Sequence, residues 1–217
     1  MNALELQLAG ERLLLLPQKA MYWPRERTLM VADIHFGKAA SFRALGVPVP
    51  HGTTAANLQA LDALVAEHGA RRIVFLGDFL HAKTAHAVAT LAAMQHWRAA
   101  HPSLELTLVR GNHDRHAGDP PPGLRMEMVD EPYLQGPFAF CHHPDVLIAA
   151  YVLAGHVHPV YKLRSGWESL LLPCFLAAPE RLVLPAFGAF TGGHPVKPQP
   201  GERLFITSGE AVLEVPL

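Results

Sequence analysis

The chain has 217 residues, 50% of them hydrophobic, and a formal net charge of −1. That length suits one domain with a sizeable core, and the balanced charge argues against a global basic surface for nucleic acid, though not against a local basic lining. Cys141 and Cys174 are too few for a disulfide framework, and no apolar stretch suits a secretory signal or reaches the ~20 residues of a membrane helix, so a cytoplasmic protein with no membrane contact is expected.

In chain order, Thr28–Ala32 reads as a strand and ends in Asp33-Ile34-His35. A helix is predicted over Thr53–Glu67, where Leu58, Leu61, Leu64 and Val65 recur at helical spacing. Thr53 or Thr54 can cap its start, and Gly69 marks its stop. Ile73–Leu76 reads as a strand ending in Gly77-Asp78. A second helix is predicted over Thr84–Ala100, ending before His101-Pro102 because the residue before proline avoids helical geometry. Leu104–Val109 leads into Gly111-Asn112-His113-Asp114, and the Pro/Gly-rich His116–Gly123 reads as a surface loop able to frame a substrate. Phe138–Cys141 precedes His142-His143-Pro144, and Tyr151–Ala154 precedes Gly155-His156-Val157-His158. The strand–helix–strand order predicts parallel strands covered by helices. Beyond His158 the short strands expected at Tyr161–Leu163, Ser169–Phe175, Arg181–Leu184, Leu204–Thr207 and Ala211–Val215 suggest antiparallel pairing. Turns such as Ser165-Gly166 and Pro198–Gly201 separate them. With no repeat or linker visible, residues 1–217 read as a single domain of two sheets with helices outside.

Five polar motifs at the ends of apolar strands converge on one place when parallel strands end on a common edge. Their residue types suit phosphoester hydrolysis. Two cations about 3.5–4 Å apart neutralise the phosphate and bring the pKa of a held water towards neutrality. Such a site needs a carboxylate that reaches both ions, and Asp78 suits it, with Gly77 leaving room for close approach. Asp33 and His35, two apart on an extended segment, would share a face and one ion, and His156 and His158 repeat the spacing. Asn112 adds an amide oxygen and His142 an imidazole. Imidazole and oxygen together suit manganese, iron or zinc better than magnesium or calcium alone. His113 is expected to face the phosphate, where it would stabilise the transferring group or protonate the leaving oxygen, with Asp114 fixing its tautomer. Of the adjacent His142 and His143, His142 is favoured as ligand because it is nearer the strand end and Pro144 turns the chain after His143.

Taken singly, most of these residues have commoner structural roles: an Asp at a strand end usually caps a turn. Their ordered recurrence carries the argument. Lys38 and Arg43 follow the first motif and are either phosphate contacts or solvated helix charges; His81 either reaches the phosphate or caps the next helix. Phe36 and Phe79 either stack on bases or, as is commoner beside a strand end, join the core. His194 reads as a loop residue.

The ordered set Asp-x-His, Gly-Asp, Gly-Asn-His-Asp, His and Gly-His-x-His resembles the calcineurin-like metallophosphoesterases. The segments Ala32–Phe42, Phe75–Ala82, Val152–Pro159 and Leu184–Gly193 are similar to the DNA-ligase-associated branch of bacterial repair gene clusters. The resemblance implies an α/β fold, a four-layer α/β/β/α sandwich of two mixed sheets flanked by helices. It implies one metal on Asp33, His35, Asp78 and His158, and a second on Asp78, Asn112, His142 and His156. It also implies that His113 would contact the scissile phosphate; independently of the resemblance, His81, Asn112, Arg43 and Lys38 are the candidate substrate contacts. The branch implies a manganese-dependent phosphodiesterase and endonuclease acting on DNA, preferably single-stranded, with a functional association to an ATP-dependent DNA ligase and a helicase. Two other functions compete: a small-molecule phosphoesterase acting on nucleotides, cyclic nucleotides or a nucleotide-linked lipid precursor, and an inactive scaffold. The intact ligand set argues against the last.

Overall fold

A computed structural model describes residues 2–49, 52–165 and 168–216. The first sheet has seven strands in sequence order: β1 (Leu4–Leu8), β2 (Glu11–Leu16), β3 (Ala20–Trp23), β4 (Thr28–Ala32), β5 (Arg72–Leu76), β6 (Glu105–Val109) and β7 (Glu127–Val129). Strands β1 to β4 form an antiparallel meander, and β4 to β7 run parallel. The parallel strands are joined through α1 (Lys38–Ala44), α2 (Thr53–His68), α3 (Val88–Ala100) and α4 (Asn112–Ala117).

The second sheet holds β8 (Tyr133–Gln135), β9 (Phe138–Phe140), β10 (Tyr151–Ala154), β11 (Pro159–Ser165), β12 (Glu168–Ala177), β13 (Arg181–Val183), β14 (His194–Pro195), β15 (Arg203–Thr207) and β16 (Val212–Val215). Pairing here is mixed. The expected antiparallel partners are present around β12, but β10 lies parallel to both β9 and β13. The turn expected at Ser165-Gly166 reaches beyond the described residues.

Strand alternation explains how the layers stack. Leu29 and Val31 of β4, Ile73 and Phe75 of β5, and Leu106 and Leu108 of β6 pack with Leu58, Leu61 and Leu64 of α2 and Met94 and Trp97 of α3. Their neighbours Met30, Ala32, Val74, Leu76 and Val109 face the other way, against Phe138, Phe140, Leu153, Phe175 and Phe205 of the second sheet. With both faces covered, β4 and β5 read as unbroken apolar runs rather than alternating ones.

Two mixed sheets flanked by helices are as expected, but the helices are distributed unevenly. The clusters on the far side of the second sheet, around Ala139, Cys141, Val152 and Ala154 and around Cys174, Leu204 and Ile206, are closed by Val146, Ala150, Tyr161 and Val196, which lie on loops and strands. Among the described residues no α-helix follows Ala117. Among the described residues, loops and strands therefore cover these two clusters.

Other boundaries differ in detail. Helix α2 is capped by Gly52 in a left-handed conformation (φ 83°) with no side-chain cap, so Thr53 is its first residue; Gly69 ends it as expected. The helix predicted over Thr84–Ala100 is split into a 3-10 turn, Lys83–His86, and α3. His116 and Ala117 belong to α4 rather than to the loop predicted over His116–Gly123. Strands β1 to β3 had no counterpart in the sequence reading. No helix among the described residues is long and apolar enough to cross a membrane.

Leu61 is fully buried in the core where α2 meets the first sheet. Leu61→Ala is expected to lower the unfolding free energy by about 2–5 kcal/mol, through lost transfer energy and the cavity left behind. Urea denaturation at fixed metal concentration measures it.

Candidate metal centre

Strands β4, β5 and β6 end side by side in one sheet, and β9 and β10 end in the facing sheet. The five motifs therefore meet across two sheets rather than along one edge. Beyond the strands the first two motif loops run as a short zipped pair: the His35 amide donates to the Asp78 carbonyl (2.9 Å), Phe36 to Phe79 (2.8 Å) and His81 to Phe36 (3.1 Å).

The Asp33 and His35 pair is not extended. Asp33 (φ 53°), His35 (47°), Asp78 (50°), His156 (70°) and His158 (50°) all adopt left-handed backbone conformations. Tight turns, not strand alternation, bring these side chains inward. Gly77 and Gly111 make the approach possible. A Cβ on Gly77, itself at φ 76°, would lie 2.0 Å from His142 Nδ1, and one on Gly111 would lie 2.3 Å from Asp78 Oδ1.

The Asp78 carboxylate sits at the centre. Its Oδ2 is 3.6 Å from His35 Nε2, and its Oδ1 is 3.5 Å from His142 Nε2. Asp33 Oδ1 is 3.3 Å from His158 Nε2, and Asp33 Oδ2 accepts the His156 amide at 2.9 Å. His142 Nε2 lies 2.8 Å from Asn112 Oδ1 and 3.0 Å from His156 Nδ1. Ligand atoms of Asp33, His35 and His158, of Asp33, Asp78 and His142, and of His142, His143 and His156 fall within 4.8 Å of one another in each group.

These donors fit cations. Asp33 Oδ1 and both His35 ring nitrogens are buried without a hydrogen-bond partner, an arrangement that costs about 1–3 kcal/mol per group unless something satisfies it. Burial, helped by the nearby Lys38 charge, pushes His35 down to about 2; burial likewise brings His142 to about 4. Both imidazoles are thus held neutral, the form that ligates. Burial also raises Asp78 above the usual carboxylate range, against the opposing pull of the His113 amide and the nearby imidazoles.

Parity along β9 distinguishes the two adjacent histidines. Phe138 and Phe140 face the other sheet, Ala139 and Cys141 face away, and His142 resumes the inward side. His143 is held by Glu131 instead: Oε1 meets its Nδ1 at 2.6 Å, while Oε2 accepts the amides of His142 (2.8 Å) and His143 (2.9 Å). Sequence reasoning missed Glu131; it lies in another segment, and nothing local marks it.

The His113 amide donates to Asp78 Oδ1 (2.9 Å), and its side chain is 38% exposed. Asp114 bonds to backbone amides rather than to this ring, which corrects the expectation that its carboxylate fixes the His113 tautomer. The His81 carbonyl holds His113 Nδ1 at 2.8 Å, so Nδ1 carries the proton and Nε2 faces the site, 3.9 Å from Asp78 Oδ2. Asp114 is buried and accepts the amides of Leu80 (3.0 Å) and Gly111 (2.9 Å), tying the second motif loop to the third. It points away because its position in the first turn of α4 suits backbone capping.

His81 stacks on His113, ring centroids 5.1 Å apart at 22°. Lys38 lines an open cleft with His156, Val157, His158 and the Gly192–His194 segment. His158 Nδ1 is 3.2 Å from the Gly192 carbonyl, and the His194 amide donates to the His158 carbonyl at 2.8 Å, so His194 belongs to the wall of the site. Arg43 is in the last turn of α1 and not among the residues lining this cleft. Phe36 and Phe79 are core residues. A larger hollow, about 980 Å³, is lined by Gln7, Tyr151 and Glu180 among others and includes none of the motif ligands; donor chemistry, not volume, locates the site.

Residues 26–150 match the family described as calcineurin-like phosphoesterase. Among solved structures the chain is similar to the Pseudomonas putida nuclease MPE, with 47% identity and a TM-score of 0.88 over 99% of this chain and all of the other. A much looser likeness is to a phosphoesterase from E. coli, Yfce, with 15% identity and a TM-score of 0.39 over 82% of this chain and 86% of that one, and nothing below rests on it. No curated protein matched. With the family match spanning more than half its length and its five motifs gathered around Asp78, the chain belongs to the calcineurin-like phosphoesterases.

Proposed function

We propose that this protein is a two-metal phosphodiesterase that cuts DNA, single strands in preference, with manganese as its metal. The observation that carries the reaction type is the Asp78 carboxylate, whose two oxygens face imidazoles from different sheets, His35 at 3.6 Å and His142 at 3.5 Å. One ion is assigned to Asp33, His35, Asp78 and His158, the other to Asp78, Asn112, His142 and His156. The DNA assignment is supported by the 47% identity to a nuclease along essentially the whole chain. A link to an ATP-dependent ligase and a helicase is part of the same proposal and rests on the resemblance to the ligase-associated branch.

Bound cations supply neutralisation of the phosphate and a lowered pKa for water. The chain's own part is positional. Asp33 and Asp78 concentrate negative charge in a buried floor, and the neutral His35 and His142 add donors without repelling a cation. His113 presents Nε2 at the mouth with its tautomer set by the His81 carbonyl, placed to donate a proton to the leaving oxygen once protonated. Lys38, half-buried beside His158, offers a charge to a phosphate oxygen.

Incubation of the purified protein with manganese and circular single-stranded DNA should yield linear and then shorter products. Brisk hydrolysis of nucleotides with DNA left intact would favour the small-molecule reading instead. Asp78→Ala is expected to abolish turnover on every substrate and bring bound metal below two ions per chain by elemental analysis. His113→Ala should cost on the order of 10²–10⁴-fold for an alkoxide leaving group and less for a nitrophenolate, which leaves without a proton; equal losses on both would contradict acid catalysis. Glu131→Ala, which frees the His142-His143 turn, should weaken metal affinity or activity by about 10–100-fold, as loss of a ligand-orienting partner does, read from activity against free manganese concentration.

A further inference from the structure

Ten phenylalanines occur in the chain, and eight are buried in its cores. The two that are not, Phe42 and Phe190, come from segments almost 150 residues apart and meet edge to face, ring centroids 5.7 Å apart at 83°. Both are partly exposed. Phe42 is also 6.1 Å from the ring of His81, which stacks on His113 at the metal centre. Phe42 stands four residues after Lys38 on α1, the spacing that puts two side chains on one helix face. Phe190 stands four residues before His194, and two before the Gly192–His194 segment that lines the cleft with Lys38. The aromatic pair is thus joined by ring contacts through His81 to His113, and by helix spacing to the Lys38 that borders the cleft. Sequence reasoning looked for stacking aromatics at Phe36 and Phe79; the exposed pair lies one helix turn further on and in the β13–β14 connection.

We propose that Phe42 and Phe190 form a stacking shelf for the nucleobase beside the scissile phosphodiester, with Lys38 on that nucleotide's phosphate. This inference rests on the nuclease reading above and names the part of the site that selects unpaired substrate. Every base offers a π-face, so a shelf binds without regard to sequence. Inside a duplex both faces of a base are already covered by its neighbours, so the shelf accepts bases in single strands or at frayed ends.

The test uses the manganese-loaded protein and one single-stranded oligonucleotide in two forms, intact or with one stable abasic (tetrahydrofuran) position, and compares kcat/KM for cleavage at the phosphodiesters flanking that position. Wild-type protein should favour the intact form by on the order of 10-fold, the worth of one base on one aromatic ring. Phe42→Leu and Phe190→Leu, in separate segments, should each lose most of that preference, and Phe42→Tyr should keep it. Full preference in both leucine variants would overturn the shelf, as would equal cleavage of the two forms by wild-type protein, and in either case the nuclease reading survives. If wild-type protein cuts neither form while still hydrolysing a nitrophenyl phosphodiester, the nuclease reading falls and the shelf with it.

Discussion

The site depends on five sharp backbone turns. Asp33, His35, Asp78, His156 and His158 all sit at positive φ, each a conformation that costs on the order of 1–3 kcal/mol in a residue other than glycine. Asp and His are among the side chains that tolerate this region best, and they are also good cation ligands, so one choice of residue serves both demands. The turns hold one another in place. The Asp33 side chain accepts the His156 amide, the Asp78 carbonyl accepts the His35 amide, and the Asp78 side chain accepts the His113 amide. Relaxing any one turn would release a partner in the next.

Much of this was legible in the sequence, for a physical reason. Strands covered on both faces must be apolar throughout, so β4, β5 and β10 stand out as runs that break off at a polar motif. Motif order then singled out side chains that the fold brings together around Asp78. What stayed hidden depends on distant partners. Glu131 holds the His142-His143 turn from eleven residues away, and Asp114 turns to amides of the second motif loop rather than to its neighbour. Strands β1 to β3 were missed because they form no motif, and the parallel contacts of β10 with β9 and β13 cannot be told from short apolar runs. Alternation along Phe138–Cys141, carried one residue further, already held the preference for His142.

Charge is arranged as carefully as shape. The floor of the site is a buried set of carboxylates and imidazoles between layers that are otherwise apolar. Cys141, next to His142, points to the opposite side of its sheet, and burial pushes its thiol up to about 12, so it stays protonated and outside the ligand set. Cys174 is raised to about 12 in the same way. Lys38 and His194 border the cleft at which His156 and His158 meet solvent.

The His142 ring belongs to the second sheet, yet it fills the space that Gly77 and Gly111 leave at the edge of the first. That fit makes the site a joint property of the two sheets. Neither half of the chain can gather the proposed ligand set alone: β4 to β6 bring Asp33, His35, Asp78 and Asn112, while β9 and β10 bring His142, His156 and His158. Only with the sheets docked in final register, and the apolar layer between them closed, do these side chains face one another. A cation held by both sets would therefore count towards the stability of that docking.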